Sequence, residues 1–353
     1  MSRHFQFSRV RLAAAHYSLP AEVLGSGQLE TALAPLYERL RLPPGRLELM
    51  TGIRERRLWP RELLPGKQSA RTAAALLQQT DVDPARIGAL VHGSVCRDYL
   101  EPSTACGVHA ALGLSADCLI YDVSNACLGL LNGMLQVATL IELGQIDVGL
   151  VVGTESSRAL VETTIRALNE DLSLTRESVK SAIASLTIGS GSAAVLLTRS
   201  ELSPAAPRLT SMLALAKTEH HQLCHSDRDE AIGSGMAPLM RTDSELLMRA
   251  GIAAGQQAFD LWLDRLGWQV ADIQKTVCHQ VGLTHRKLLL ETLGLSPERD
   301  FYTVDWLGNT GSTALPITYA IARERGFVLP TDRVALLGIG SGINVLLAGL
   351  EPA

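Results

Sequence analysis

Ile188-Gly189-Ser190-Gly191, followed by the apolar run Ala193-Ala194-Val195-Leu196-Leu197, returns near the C-terminus as Ile339-Gly340-Ser341-Gly342 followed by Val345-Leu346-Leu347-Ala348. Each copy reads as two short strands joined through a glycine-rich bend. A second echo precedes the first. Asp83-Pro84-Ala85-Arg86-Ile87 leads into Leu90-Val91-His92, and Asp272-Ile273 leads into Val277-Cys278-His279. Both read as a helix end feeding a buried strand with a histidine at or near its tip. Two patterns repeated in the same order indicate a duplication, so two α/β halves are expected. His92 and His279 are 187 residues apart, whereas Gly189 and Gly340 are 151 apart, so the first half carries about 36 additional residues between strand tip and bend. Residues 155–185, polar and helical in pattern, are where these fall, and an insertion there is a candidate lid, substrate-tunnel wall or dimer contact.

Between the echoes, residues 69–79, 104–114, 128–143 and 244–266 read as helices, and 148–152 and 334–337 as buried strands. Such alternation predicts parallel or mixed sheets covered by helices. The expected organisation is an N-terminal half over residues 1–200, holding the insertion, and a C-terminal half over 201–353. Catalytic groups would collect at the strand ends between them.

The composition agrees with a large buried core. Of 353 residues, 46% are hydrophobic and 19% charged, and with aromatics at 4% that core must be aliphatic. A net charge of −4 gives no general attraction for nucleic acid or anionic membrane. Arg54, Arg56 and Arg57 form a basic cluster that reads either as a local phosphate site or as a solvated face. The six cysteines show no framework spacing, which suits reduced thiols in a cytoplasmic protein. The first residues lack the apolar stretch of a signal peptide, and no run approaches the length of a membrane span. His220, His221, Cys224 and His225 share one polar stretch without a second cluster, so no metal is expected.

Cys127 follows the apolar run 118–123 and opens a helical pattern, joined through Ser124-Asn125-Ala126. These small residues permit a sharp strand-to-helix turn. A thiol there faces the free N–H groups and positive end of a helix, which favours thiolate over thiol. His279 stands immediately after a buried strand, and Asn309 sits in the glycine-bounded turn Gly308-Asn309-Thr310-Gly311, ahead of a helical pattern over 314–325. Alone, either residue is ordinary: a core histidine, a turn asparagine. Cysteine, histidine and asparagine together, each at a turn beside a strand or helix end of a duplicated α/β chain, form a set that coincidence does not readily explain. His92, the echo of His279, is expected to be structural.

Five motifs now stand in order: Thr51-Gly52-Ile53-Arg54-Glu55-Arg56-Arg57, Asn125-Ala126-Cys127, His279-Gln280, Gly308-Asn309-Thr310 and Ile339-Gly340-Ser341-Gly342. Along essentially its whole length the chain resembles the thiolase superfamily, in the ketoacyl synthase III branch. The resemblance implies a five-layer αβαβα sandwich and an acyltransferase needing no cofactor beyond coenzyme A thioesters as substrates. Through the stretch 94–105 it is similar, within that branch, to enzymes that join two fatty acyl-CoA molecules head to head in bacterial olefin synthesis. That similarity implies a homodimer in which Glu101 crosses to the partner's active site. Malonyl-using synthases make their carbanion by losing carbon dioxide, whereas condensing two plain acyl thioesters requires removal of an α-proton, which a positioned carboxylate can perform. On the residues alone, Glu101 is equally a helix N-terminal carboxylate before Pro102. The resemblance further implies a Cys127-bound acyl group, an oxyanion hole from the backbone N–H groups of Cys127 and Ser341, and His279 and Asn309 as donors to the second thioester. The branch commonly has Trp and Arg ahead of its Thr-Gly-Ile-Arg motif. Here residues 43–50 lack the Trp, so an acyl carrier protein donor stays open beside CoA, as does a decarboxylative reaction with a malonyl group.

Overall fold

The computed structural model describes residues 3–226 and 239–353. Met1 and Ser2, part of the N-terminus read as leaderless, lie outside them. The N-terminal strands run in the order Val10–Ser18, Gly191–Arg199, Val148–Glu155, Ile87–Gly93, Leu119–Val123, the first two pairings antiparallel and the next two parallel. The C-terminal strands repeat that order and those directions: Arg208–Ala216, Asn344–Glu351, Val334–Gly340, Lys275–Cys278. A parallel bridge from Thr276 to Asp300 stands where the fifth strand would be. Arg3–Gln6 adds an antiparallel edge to Arg208–Ala216. The Arg11–Arg208 pair joins the two sets of strands.

Three helical layers enclose these strands. Helices Gly129–Glu142 and Ala314–Glu324 lie between the two sheets, with Leu131, Met134, Ile141, Leu315 and Ile321 in one cluster with residues of both sheets. Pro65–Leu77 and Thr104–Leu112 cover the outer face of the first sheet, and Ser244–Leu266 and Leu283–Leu293 that of the second. The result is the expected αβαβα sandwich. A helix apolar on all sides belongs in such a middle layer, and residues Ala314 through Ala322 are all buried. Truncating one of these core leucines to alanine costs about 2–5 kcal/mol. Ser244–Leu266 starts where Asp243 Oδ1 accepts from Leu246 N–H at 3.0 Å and stops at Gly267, which takes a φ of 66°. Among the described residues no helix is long and apolar enough to cross a membrane.

The echo holds with one correction. Gly340 to Asn344 is a tight bend between adjacent strands, but the first copy is not. Its bend feeds only Gly191–Arg199, because helices Arg158–Glu170 and Lys180–Leu186 separate it from the strand ending at Glu155. Glu155 is therefore the last residue of a buried strand, not the start of a polar segment. The inserted segment supplies Val161, Leu168, Val179 and Leu186 to a small core shared with Leu29, Leu33, Leu36 and Leu47.

Candidate active site

Cys127 sits on the elbow between strand Leu119–Val123 and helix Gly129–Glu142. Ala126 makes the turn with a φ of 45°, a left-handed conformation that costs a residue with a Cβ about 1–2 kcal/mol. Leu128 N–H donates to Asn125 O at 2.9 Å, and Asn125 Nδ2 donates to Asn132 Oδ1 at 2.8 Å, pinning the elbow to its helix. Gly129 has no room for a side chain: a Cβ there would stand 3.2 Å from the backbone of Gly93 and Ser94.

The C-terminal bend closes on this elbow. Asn344 Nδ2 donates to Asn125 Oδ1 at 3.3 Å and to Ser341 O at 3.2 Å. The Cys127 sulfur meets the backbone N–H groups of Cys127 and Ser341, the two donors named for an oxyanion hole. They do not make the resting sulfur an anion. Burial, then the Glu155 carboxylate, then Cys224, push the thiol up to about 12, against the pull of those two N–H groups. The expected thiolate preference is overturned because desolvation of the charged form outweighs the helix end.

The N-terminal bend holds Asn309 in the same way. Asn309 N–H donates to Thr187 O and Gly189 N–H to Asn309 O, both at 2.9 Å. A Cβ at Gly189 would come within 1.9 Å of Leu307 O, so only glycine allows this approach. Asn309 Oδ1 accepts from Gly311 N–H at 3.0 Å, which fixes the amide and leaves Nδ2 as its donor end. Cys127 and Asn309 thus occupy matching places ahead of the two central helices, each secured by the glycine bend of the other half.

His279 follows strand Lys275–Cys278 and donates its N–H to Leu337 O at 2.8 Å, at the sheet end that carries Gly340 and Ser341. Its ring is buried, and burial followed by the nearby His285 lowers it to about 3, so it is neutral. His285 is likewise lowered by burial, to about 4. Gln280, which the sequence reading carried only as part of a motif, ties this segment to that of Asn309. Its Oε1 accepts from Thr303 and Val304 N–H, both at 2.8 Å, and its Nε2 donates to Phe301 O at 3.2 Å. Nothing but its place after His279 marks it in the sequence.

The remaining expectations divide. Glu101 is exposed, on a loop that also exposes Val95, Tyr99 and Leu100. The three arginines do not form one cationic face. Arg54 is exposed and pairs with Asp305 at 3.1 Å. Arg57 donates to Pro20 O at 3.1 Å. Arg56 is 1% exposed, donates to Ser26 Oγ at 3.1 and 3.2 Å, and is lowered to about 10 by burial. It points inward with Leu58 on the strand Glu55–Leu58, so it is withdrawn as a phosphate ligand. His92 is buried, with Ser69 Oγ at 3.2 Å from Nε2. Of the polar stretch 220–225, Cys224 comes near Cys127, and Thr242 Oγ1 donates to its sulfur at 3.4 Å.

Comparison with known proteins adds a separate line of support. The thiolase N-terminal domain matches residues 50–188, and the 3-oxoacyl-[acyl-carrier-protein] synthase III C-terminal domain matches residues 263–350. The chain is 41% identical over 349 residues to the acyl-CoA:acyl-CoA alkyltransferase of Shewanella oneidensis, covering 98% of this chain and 99% of that protein. Identity to a β-ketoacyl-[acyl-carrier-protein] synthase III of Pseudomonas aeruginosa is 26%, over 83% of this chain and 84% of that one. Crystal structures of Xanthomonas campestris OleA superpose closely. One with a glutamate changed to alanine gives a TM-score of 0.92 at 34% identity, covering 99% of this chain and 100% of that one. Another, with bound lauric acid and lauroyl-CoA, gives 0.91 at 34% identity, covering 98% and 99%.

Proposed function

Since the chain belongs to the thiolase superfamily, in its ketoacyl synthase III branch and with the OleA-type acyl-CoA:acyl-CoA alkyltransferases, we propose that it condenses two fatty acyl-CoA thioesters without decarboxylation. It is an acyltransferase, and Cys127 carries the acyl group. The single observation that carries the reading is the Cys127 thiol against two backbone N–H groups, one from each half of the duplication.

The Cys127 sulfur attacks the carbonyl carbon of the first acyl-CoA. Its proton leaves with the departing CoA sulfur, and the N–H groups of Cys127 and Ser341 hold the tetrahedral oxyanion. A resting thiol suits this order, because no buried anion has to be sustained before substrate arrives. The second acyl-CoA then places its thioester oxygen between His279 and the Asn309 amide. A neutral imidazole suits a hydrogen-bond donor there, and losing one such donor costs about 3 kcal/mol in the barrier. Glu101, from the partner protomer of a homodimer, takes the α-proton. The enolate carbon attacks the acyl group on Cys127, the carbon–sulfur bond breaks, the Cys127 sulfur takes up the proton held by Glu101, and a β-ketoacyl-CoA leaves. The exposed Val95, Tyr99 and Leu100 around Glu101 support an interface at that loop. We place the enzyme in the cytoplasm, in lipid and olefin biosynthesis, and give it no cofactor.

A decarboxylative reaction on a malonyl or carrier-protein donor is the second reading, favoured by the synthase III match over residues 263–350. Glu101→Ala separates the two. With myristoyl-CoA alone, the variant should still form the Cys127 acyl adduct by mass spectrometry but give no β-keto product. Wild-type turnover of two myristoyl-CoA molecules by that variant would remove Glu101 as the base.

A further inference from the structure

The proposed mechanism leaves one buried carboxylate at the site without a task. Glu155 ends the strand Val148–Glu155 and is 5% exposed. Its Oε1 accepts from Val95 N–H at 3.0 Å, from Ser312 N–H at 3.3 Å and from Ser312 Oγ–H at 2.5 Å. Its main-chain oxygen accepts from Trp59 Nε1–H at 3.2 Å. Ser312 stands three residues after Asn309, and Val95 six residues before Glu101. Gly311, between Asn309 and Ser312, is pressed on the same side chain: a Cβ there would lie 3.2 Å from Glu155 Cγ and Cδ. The donors on Oε1 among the described residues are two backbone N–H groups and one hydroxyl, all neutral.

We propose that Glu155 is a positioning residue for the condensation, which holds the Asn309 turn through Ser312 and holds the segment leading to Glu101 through Val95. The inference rests on the reading of Asn309 as a donor to the second acyl group. A single carboxylate oxygen shared by Val95 and Ser312 fixes two loops from different halves of the duplication relative to each other. Replacing it with a methyl group releases the Val95 and Ser312 N–H groups and leaves the Ser312 hydroxyl its 3.0 Å bond to Gly93 O.

Two variants test this. Glu155→Ala should acylate Cys127 from myristoyl-CoA within about threefold of wild type while condensation falls at least tenfold, as in Asn309→Ala, and the double variant should be no slower than Asn309→Ala alone. Glu155→Gln keeps an acceptor oxygen and removes the charge. It should restore condensation. A purely structural glutamate would slow both half-reactions together. Wild-type condensation by Glu155→Ala overturns the proposal, as does a Glu155→Gln variant that acylates Cys127 normally but does not condense. Should Glu155→Ala fail to fold, Glu155→Asp, whose shorter side chain withdraws the acceptor from Val95 and Ser312, takes its place: normal acylation with reduced condensation is expected, and equal slowing of both overturns the proposal. Wild-type turnover by Asn309→Ala would instead remove the role given to Asn309, a result distinct from either Glu155 outcome.

Discussion

Lowering the pH from 7 to 5 should destabilise this protein through two particular rings, His279 and His285. Both are buried and neutral, lowered to about 3 and about 4 from an ordinary 6.5. In the unfolded chain each takes up a proton as the pH falls through 6.5, whereas in the folded chain it does not. The unfolded state then binds more protons, so stability is full above 6.5 and is lost as the pH falls. At pH 5 the unfolded ring is almost fully charged and the folded ring is not, a difference on the order of 2 kcal/mol for each histidine. Other groups titrate over the same interval, so the informative quantity is a difference between proteins. His285→Leu removes one ring from the balance while keeping the position apolar. Equilibrium urea unfolding at pH 7 and pH 5 should show the variant losing about 2 kcal/mol less than wild type over that interval. Parallel losses in the two proteins would refute the burial argument for His285. The same reasoning keeps His279 neutral throughout, so condensation at pH 5 to 8 should show no inflection from its charging.

Three further outcomes follow from the elbow, one bend and one helix. With its thiol pushed up to about 12, Cys127 is about one part in ten thousand thiolate at pH 8, against about one in ten for an unperturbed cysteine; its iodoacetamide alkylation should climb about tenfold per pH unit from 7 to 10, and levelling near pH 8 would contradict the desolvation reading. Gly189→Ala drives a Cβ to 1.9 Å from Leu307 O and should cost about 3 kcal/mol, lowering the melting temperature; Gly27→Ala, in helix Ser26–Ala32 with nothing within 4 Å, should instead stabilise by about 0.5–1 kcal/mol.

The architecture could be read because the duplication left its marks on backbone approach, which only certain residues tolerate. Each half's bend packs on the other half's turn: a Cβ at Gly189 would meet Leu307 O at 1.9 Å, and one at Gly340 would stand 3.1 Å from Leu128 Cγ, so glycine marks both places although the flanking lengths diverge. The apolar strand runs were equally visible, since strands covered on both faces have no room for alternation. Charge was harder to read. Arg54, Arg56 and Arg57 are adjacent in sequence, but a strand sends successive side chains to opposite faces, and Arg56 shares its face with buried Leu58. That period-two signal was available, and the clustering of like charges hid it. Glu155 was hidden differently: it ends an apolar strand but borders a polar insertion, and the boundary between the two is set by pairing with Gly191 across the sheet.

The protonation of Cys127 lies beyond local pattern altogether. A helix end close by in sequence argues for thiolate, and the two backbone donors are in place to support it. Against them stand burial and a carboxylate 28 residues further on, and together these outweigh the local donors. The donors around the sulfur therefore do little for the resting enzyme. In the proposed reaction their full value comes when negative charge moves to the substrate oxygen, the one moment at which an anion at that position is unavoidable. A site that keeps its thiol protonated and its imidazole neutral places its hydrogen bonds where charge develops during reaction and not where it rests beforehand. The duplication supplies the geometry for this: each half presents a turn at the head of a central helix, and the bend of the opposite half completes it.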